Sequence, residues 1–148
     1  MQHYVVMLCI DVFLRGLQMF EYEKIIPFYD VDPMQVVWHG NYVKYFEEAR
    51  CAYLLKKGMT YADMNKLGYA FPIVEMKVKY INPCTFGQEI VIKTELISCE
   101  NFIIFKYEMV DKKTKEKLCK AETKQMCVEL TTKESLFEIP KVVAERLK

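Results

Sequence analysis

Residues 29–58, YDVDPMQVVWHGNYVKYFEEARCAYLLKKG, contain a polar loop followed by the strongest helical pattern of the chain. Apolar side chains recur at i, i+3, i+4, i+7 and i+11, the spacing of one helix face. They are Tyr42, Tyr45, Phe46, Ala49 and Tyr53. Leu54 and Leu55 widen this face, Gly58 ends the helix, and Gly40 or Asn41 is the expected N-cap. A helix with so broad an apolar surface must be covered by other elements.

Alternating apolar and polar side chains predict those elements to be strands. A first strand is expected at residues 21–28, and a short second helix begins at Thr60 and ends at Gly68. Four more strands follow at residues 71–81, 88–98, 101–110 and 117–130, and residues 139–148 form a terminal helix or tail. This order predicts an α+β fold in which a curved antiparallel sheet wraps around one long central helix.

One edge of such a sheet stays open. The segment 74–80 could satisfy its free backbone groups by pairing with a second copy of the chain. We therefore expect a homo-oligomer, either a homodimer or a homotetramer.

The composition limits the classes of function. A chain of 148 residues corresponds to one domain, which we place at residues 19–148. Residues 1–18 are expected to be an N-terminal extension, or else an additional surface helix or strand. The net charge of +1 argues against a nucleic-acid-binding protein. The apolar run at residues 4–10 is too short for a membrane span, which needs about 20 residues.

The six cysteines form no CxxC motif and no zinc pattern with the two histidines. A chain with this much apolar material needs no disulfides for stability, so we expect reduced and mostly buried thiols. The expected location is the cytoplasm, and no metal site is expected.

The loop before the long helix carries two carboxylates, Asp30 and Asp32. We predict that Asp32 and Asp30 do not both serve one site. One is expected to be structural and the other to face a cleft. The helix begins seven residues after Asp32, and its first N–H groups, near His39 and Gly40, are free donors with partial positive charge. A carboxylate beside such donors suits acyl transfer.

Residues 29–50 resemble the signature of the hotdog-fold acyl-CoA thioesterases. The resemblance covers the 4-hydroxybenzoyl-CoA thioesterase type and the Tol-Pal-associated acyl-CoA thioesterases. The matching positions are Asp30, Asp32, Val36, Val37, His39, Tyr42, Phe46, Glu47, Ala49 and Arg50. The chain departs from the pattern at Met34 and Gln35, where a small residue or glycine is common, and this departure bears on substrate preference.

The resemblance implies a role for each residue of the loop. Asp32 matches the catalytic carboxylate, acting as nucleophile or general base. The His39 N–H matches the donor that faces the thioester oxygen, and its side chain matches a histidine that orients substrate or water. The implied substrate-binding residues are Tyr29, Val37, Trp38, Gly40 and Tyr42. No cofactor is implied, because CoA arrives as part of the substrate.

Two other groups of charged residues have alternative interpretations. Glu47 could be a catalytic carboxylate on the helix, but an ion pair with Arg50 at i+3 is favoured. Four lysines could bind the phosphates of CoA or could simply form a solvated surface. They are Lys56, Lys57, Lys77 and Lys79.

The sequence therefore predicts hydrolysis of a small or medium acyl-CoA to free acid and CoA. The alternatives are a thioesterase acting on an acyl carrier protein and a non-catalytic acyl-CoA-binding protein. A carrier protein is acidic, so its docking should depend on exposed lysines and weaken with salt.

Overall fold

A computed structural model describes residues 19–148, so the predicted extension at residues 1–18 lies outside the described part of the chain. Eight strands and three α-helices follow one another. The strands are β1 (Phe20–Ile25), β2 (Tyr69–Ala70), β3 (Ile73–Tyr80), β4 (Glu89–Cys99), β5 (Ile103–Asp111), β6 (Lys117–Gln125), β7 (Cys127–Glu129) and β8 (Ser135–Leu136). The α-helices are α1 (Asn41–Lys56), α2 (Tyr61–Lys66) and α3 (Lys141–Leu147).

The main sheet has five antiparallel strands in the order β1-β4-β5-β6-β3. Helix α1 packs on one face of this sheet. Its Phe46 and Tyr53 rings lie 5.0 and 5.1 Å from the Tyr107 and Phe105 rings of β5. The predicted α+β arrangement of one long helix against an antiparallel sheet is confirmed.

The apolar spacing of α1 correctly identifies its buried face. All five side chains at the helical spacing are buried, and Gly58 follows the helix with a φ of +66°. Leu55 was expected to widen this face, but its side chain is 69% exposed. The helix presents only one side to the sheet, and Leu55 lies on the other. Gly40 is the N-cap, since Asn41 is already the first helical residue.

The short strands β2 and β8 were not predicted, and the predicted strands differ most from the structure at two ends. The first strand stops at Ile25 rather than residue 28, because the chain passes through Pro27 into a 3-10 turn at Phe28–Asp30. The predicted last strand, residues 117–130, is divided at Met126 into β6 and β7, which belong to different sheets. The Met126 N–H bonds to the Pro72 carbonyl instead of continuing the ladder.

Strand β3 is an edge of the main sheet, as predicted, since it pairs with β6 alone within the described residues. Its Val74 and Tyr80 side chains are each 47% exposed. The edge strand therefore presents both unpaired backbone and apolar side chains to its surroundings.

The cysteines of residues 19–148 are free thiols, as expected. They are exposed Cys51 and buried Cys84, Cys99, Cys119 and Cys127. No helix in this part of the chain is long and apolar enough to cross a lipid bilayer.

Candidate active site

The loop before α1 buries the first of its two aspartates. The Asp30 carboxylate accepts hydrogen bonds from the Tyr45 hydroxyl at 2.6 Å and the Lys44 ammonium at 2.8 Å. Burial alone would raise the pKa of the Asp30 carboxyl, but the bonds from Lys44 and Tyr45 outweigh burial and hold that pKa below its ordinary value. Asp30 therefore ties the loop to the helix, which confirms its expected structural role.

Asp32 lies in a tight hairpin that begins directly after Asp30. Val31 and Val37 pair as a short antiparallel bridge, and the Asp32 N–H bonds to the Val36 carbonyl at 2.9 Å. One carboxylate oxygen of Asp32 accepts the Met34 N–H at 2.8 Å. Among the described residues the second oxygen, Oδ2, accepts no hydrogen bond, so it is available to a substrate or a water molecule.

Gln35, where the chain departs from the family pattern, adopts an unusual backbone conformation. Gln35 closes the hairpin with an N–H bond to the Asp32 carbonyl and adopts a φ of +63°. This left-handed region favours glycine, because other residues crowd their Cβ against the backbone. The turn beside Asp32 therefore keeps the backbone of a glycine turn while carrying a longer, exposed side chain.

The start of α1 provides unoccupied backbone donors. The Trp38 N–H bonds to the Asp30 carbonyl at 3.0 Å, and the Asn41 N–H bonds to the Trp38 carbonyl at 2.9 Å. Between them, the N–H groups of His39 and Gly40 find no acceptor anywhere in residues 19–148. These two groups point out of the positive end of the helix, which suits an oxygen that gains negative charge.

The rings of Trp38, His39 and Tyr80 lie around this helix start. The Trp38 ring covers Gly40 so closely that a Cβ at position 40 would overlap it. The exposed His39 ring lies 5.0 Å from the Trp38 ring and 6.4 Å from the Tyr80 ring. The Tyr80 hydroxyl donates a 2.9 Å hydrogen bond to the His39 carbonyl. Sequence analysis placed Tyr80 only on a strand face and missed this contact.

The five residues implied to bind substrate divide into two groups. Val37 and Tyr42 are buried, with 4% and 3% of their surface exposed, and they belong to the hydrophobic core. Tyr29, Trp38 and Gly40 lie at or near the surface. Contact of any of these residues with substrate stays a prediction.

A group of exposed aromatic rings was not predicted. Phe28 lies 5.6 Å from Tyr29 and 6.5 Å from Phe86, all edge to face. All three side chains are exposed. Phe86 lies in the β3–β4 connection, which pairs with the loop through Val36 and Thr85. Its distance in sequence from Phe28 hides the group from pattern analysis.

Glu47 forms the predicted ion pair, although its side chain is half exposed. Its carboxylate forms an ion pair with the guanidinium of Arg50. Arg50 is buried and also donates to the hydroxyls of Tyr61 at 2.6 Å and Tyr107 at 3.1 Å. Glu47 is therefore engaged at the surface end of a buried structural network.

The four candidate lysines are separated in the fold. Lys57 bonds to the Lys148 carbonyl at 2.8 Å, and Lys56 lies over the Phe20 ring at 5.4 Å. Lys77 and Lys79 of β3 instead line one shallow surface groove together with Lys106 and Lys120. Only this second pair belongs to a cluster of lysines, in which Lys77 forms an ion pair with Glu75 and Lys106 lies 4.0 Å from Glu122.

A family model described as the thioesterase-like superfamily matches residues 26–147. The acyl-CoA thioesterase YbgC of Helicobacter pylori is 34% identical over 67 residues, which is 45% of this chain and 48% of that protein.

Two solved structures are also similar to this chain. A hypothetical protein of Aquifex aeolicus is 29% identical, with a TM-score of 0.77, over 87% of this chain and 99% of that one. The DHNA-CoA thioesterase of Staphylococcus aureus is 28% identical, with a TM-score of 0.74, over 80% of each chain. The architecture expected from the sequence, a hotdog fold, is thereby confirmed.

Proposed function

Because the chain belongs to the thioesterase-like superfamily, we propose that it hydrolyses small or medium acyl-CoA thioesters to free acids and CoA. One observation carries the proposal. A single loop supplies a carboxylate with a free oxygen, Asp32, and leads into two unoccupied N–H donors at the start of α1. This is the pair of groups that acyl transfer requires.

In the proposed reaction the thioester carbonyl oxygen faces the N–H groups of His39 and Gly40. The free oxygen of Asp32 either attacks the carbonyl carbon or removes a proton from an attacking water. Attack gives a mixed anhydride and releases the CoA thiolate, and water then cleaves the anhydride to the acid. Base catalysis gives a tetrahedral intermediate that expels the same thiolate. In both routes the N–H donors stabilise the negative oxygen.

Release of free thiol measured over a panel of acyl-CoA substrates tests this function. The panel runs from acetyl- to palmitoyl-CoA and includes benzoyl- and 4-hydroxybenzoyl-CoA. It also includes 1,4-dihydroxy-2-naphthoyl-CoA, because the similar S. aureus protein is a DHNA-CoA thioesterase.

Asp32→Asn is the decisive variant in this assay, since its Oδ1 can still accept the Met34 N–H and keep the turn. We expect it to lower kcat by about 10²-fold or more on every substrate that the parent cleaves. Retention of near-parental activity by Asp32→Asn would overturn the assignment of Asp32.

We also propose that the protein assembles through β3. The support is an edge strand with free backbone groups among the described residues and exposed Ile73 and Val74 side chains. Light scattering should give the mass of a dimer or tetramer. A Val74→Lys variant should shift that mass towards the monomer, and an unchanged mass would exclude this edge as the interface.

An acyl carrier protein is a second candidate substrate carrier. The observation in its favour is the groove that Lys77, Lys79, Lys106 and Lys120 line with a single acidic residue, Glu122, since carrier domains are acidic. The double variant Lys77→Glu, Lys79→Glu should then lose activity on a carrier-bound acyl group and keep it on acyl-CoA. Equal activity of parent and variant on both substrates would argue against carrier docking at this groove.

A further inference from the structure

Tyr80 reaches the start of α1 from a distant part of the chain. It is the last residue of β3, and 41 positions separate it from His39, whose carbonyl accepts its hydroxyl proton at 2.9 Å. The Tyr80 ring meets the Tyr42 ring edge to face at 5.0 Å. Because Tyr42 is buried, this contact holds the Tyr80 side chain in place.

The hydrogen bond fixes the direction of a neighbouring N–H group. Residues 19–148 contain no cis peptide, so each carbonyl and the N–H that follows it point in opposite directions. The Trp38 carbonyl is held by the Asn41 N–H, which orients the N–H of His39. The His39 carbonyl is held by Tyr80, which orients the N–H of Gly40. The first of these anchors belongs to the helix itself, whereas the second comes from β3.

The Gly40 N–H would otherwise be weakly constrained. Gly40 is the N-cap, so the peptide bond between His39 and Gly40 lies outside the hydrogen-bond ladder of the helix. The Trp38 ring packs where a Cβ of residue 40 would stand and makes no hydrogen bond to the Gly40 N–H. Burial raises the pKa of the Tyr80 hydroxyl, so this group keeps its proton and remains a donor around neutral pH.

We propose that Tyr80 is a positioning residue that aims the Gly40 N–H at the substrate carbonyl oxygen, as a second donor beside the His39 N–H. The inference rests on the proposed thioesterase function. Tyr80 does not touch the reacting atoms in this scheme and acts only through the His39–Gly40 peptide.

Tyr80→Phe removes the hydroxyl and keeps the ring that packs on Tyr42. We expect kcat to fall about tenfold, less than the 10²–10³ seen when an oxyanion donor is removed outright. KM should stay within about twofold, because substrate binding does not use the hydroxyl. The matched control is Tyr22→Phe, which removes a hydroxyl bonded to Glu48 at 3.1 Å and should leave both constants unchanged.

A second measurement separates positioning from a general loss of stability. In the 15N-labelled protein, Tyr80→Phe should shift the Gly40 amide resonance, and Tyr22→Phe should not. An unaltered Gly40 resonance, or a parental kcat in Tyr80→Phe, would overturn the inference. If Asp32→Asn is inactive while Tyr80→Phe behaves like the parent, the role of Tyr80 is wrong and the proposed function still stands. The role of Tyr80 and the activity itself therefore fail independently.

Discussion

The indole ring of Trp38 lies against Gly40 where a Cβ would have to stand. Gly40 has an ordinary helical backbone, with φ −68° and ψ −22°, so glycine is needed there for space and not for conformation. We predict that Gly40→Ala displaces the indole. Trp38 is the sole tryptophan of the chain, so intrinsic fluorescence reports this movement directly.

The control for this experiment is Gly58→Ala. Gly58 has a φ of +66° and open space where a Cβ would be, so alanine there strains the backbone alone. We expect about 1 kcal/mol of destabilisation with an unchanged emission maximum. Identical spectra for the parent and Gly40→Ala would show that the ring does not pack on Gly40.

Asp30 should make the stability of the protein depend on acid pH. Its pKa is lowered in the folded state, so its contribution is present above the unfolded pKa near 3.8 and is lost as pH falls through the lower folded value. At neutral pH, Asp30→Asn should cost about 2 kcal/mol, because the bond from Lys44 loses its charged acceptor.

Urea denaturation of parent and Asp30→Asn from about pH 6 to pH 2 measures this effect. The difference between the two proteins should shrink towards the acid end, which separates Asp30 from other titrating carboxylates. A difference that stays constant over this range would contradict the assignment.

The stability of variants at position 35 should depend on how readily the new residue adopts the left-handed backbone conformation. With a φ of +63°, Gln35 can be replaced by glycine or asparagine without loss, whereas Gln35→Val should cost about 1–2 kcal/mol. Denaturation midpoints give the order directly. Equal stability of the valine and glycine variants would mean that the turn relaxes to another backbone. Comparing their acyl-CoA preferences also tests whether the long side chain selects substrate.

Glu47 and Arg50 should differ sharply in importance although they form one ion pair. Glu47 is half exposed, so Glu47→Gln should cost under about 1 kcal/mol and keep kcat within about twofold. Arg50→Lys should cost about 2 kcal/mol or more, since lysine cannot reach Glu47, Tyr61 and Tyr107 together. Loss of turnover in Glu47→Gln without loss of stability would make the helix carboxylate catalytic.

Much of the fold was predictable because the signals are local. The apolar spacing of α1 and the glycine after it define a helix whatever its neighbours are. The alternation along β5 likewise identifies its buried side chains. Leu55 shows where this fails: an apolar residue at a border position is buried only if a partner element covers it, and no element within residues 19–148 does.

The candidate site was predictable in part for the same reason. Free N–H groups follow from any helix start. The separation of Asp30 from Asp32 instead depends on the 3-10 turn that ends at Asp30, because residues two apart in extended backbone share a side. Which aspartate is buried depends on Tyr45 and Lys44. Lys44 and Tyr45 lie 14 and 15 positions after Asp30, so the sequence places them on the next helix but does not show that they bond to Asp30.

The sequence by itself thus determined the helix, most strand positions and the two chemical components of the site, since each follows from spacing within a few residues. Only the tertiary structure decided that the last predicted strand divides at Met126, that Phe86 joins Phe28, and that Tyr80 holds the His39 carbonyl. Those contacts join residues about 40 or more positions apart, and their existence depends on how the sheet and the helix pack, which no local pattern encodes.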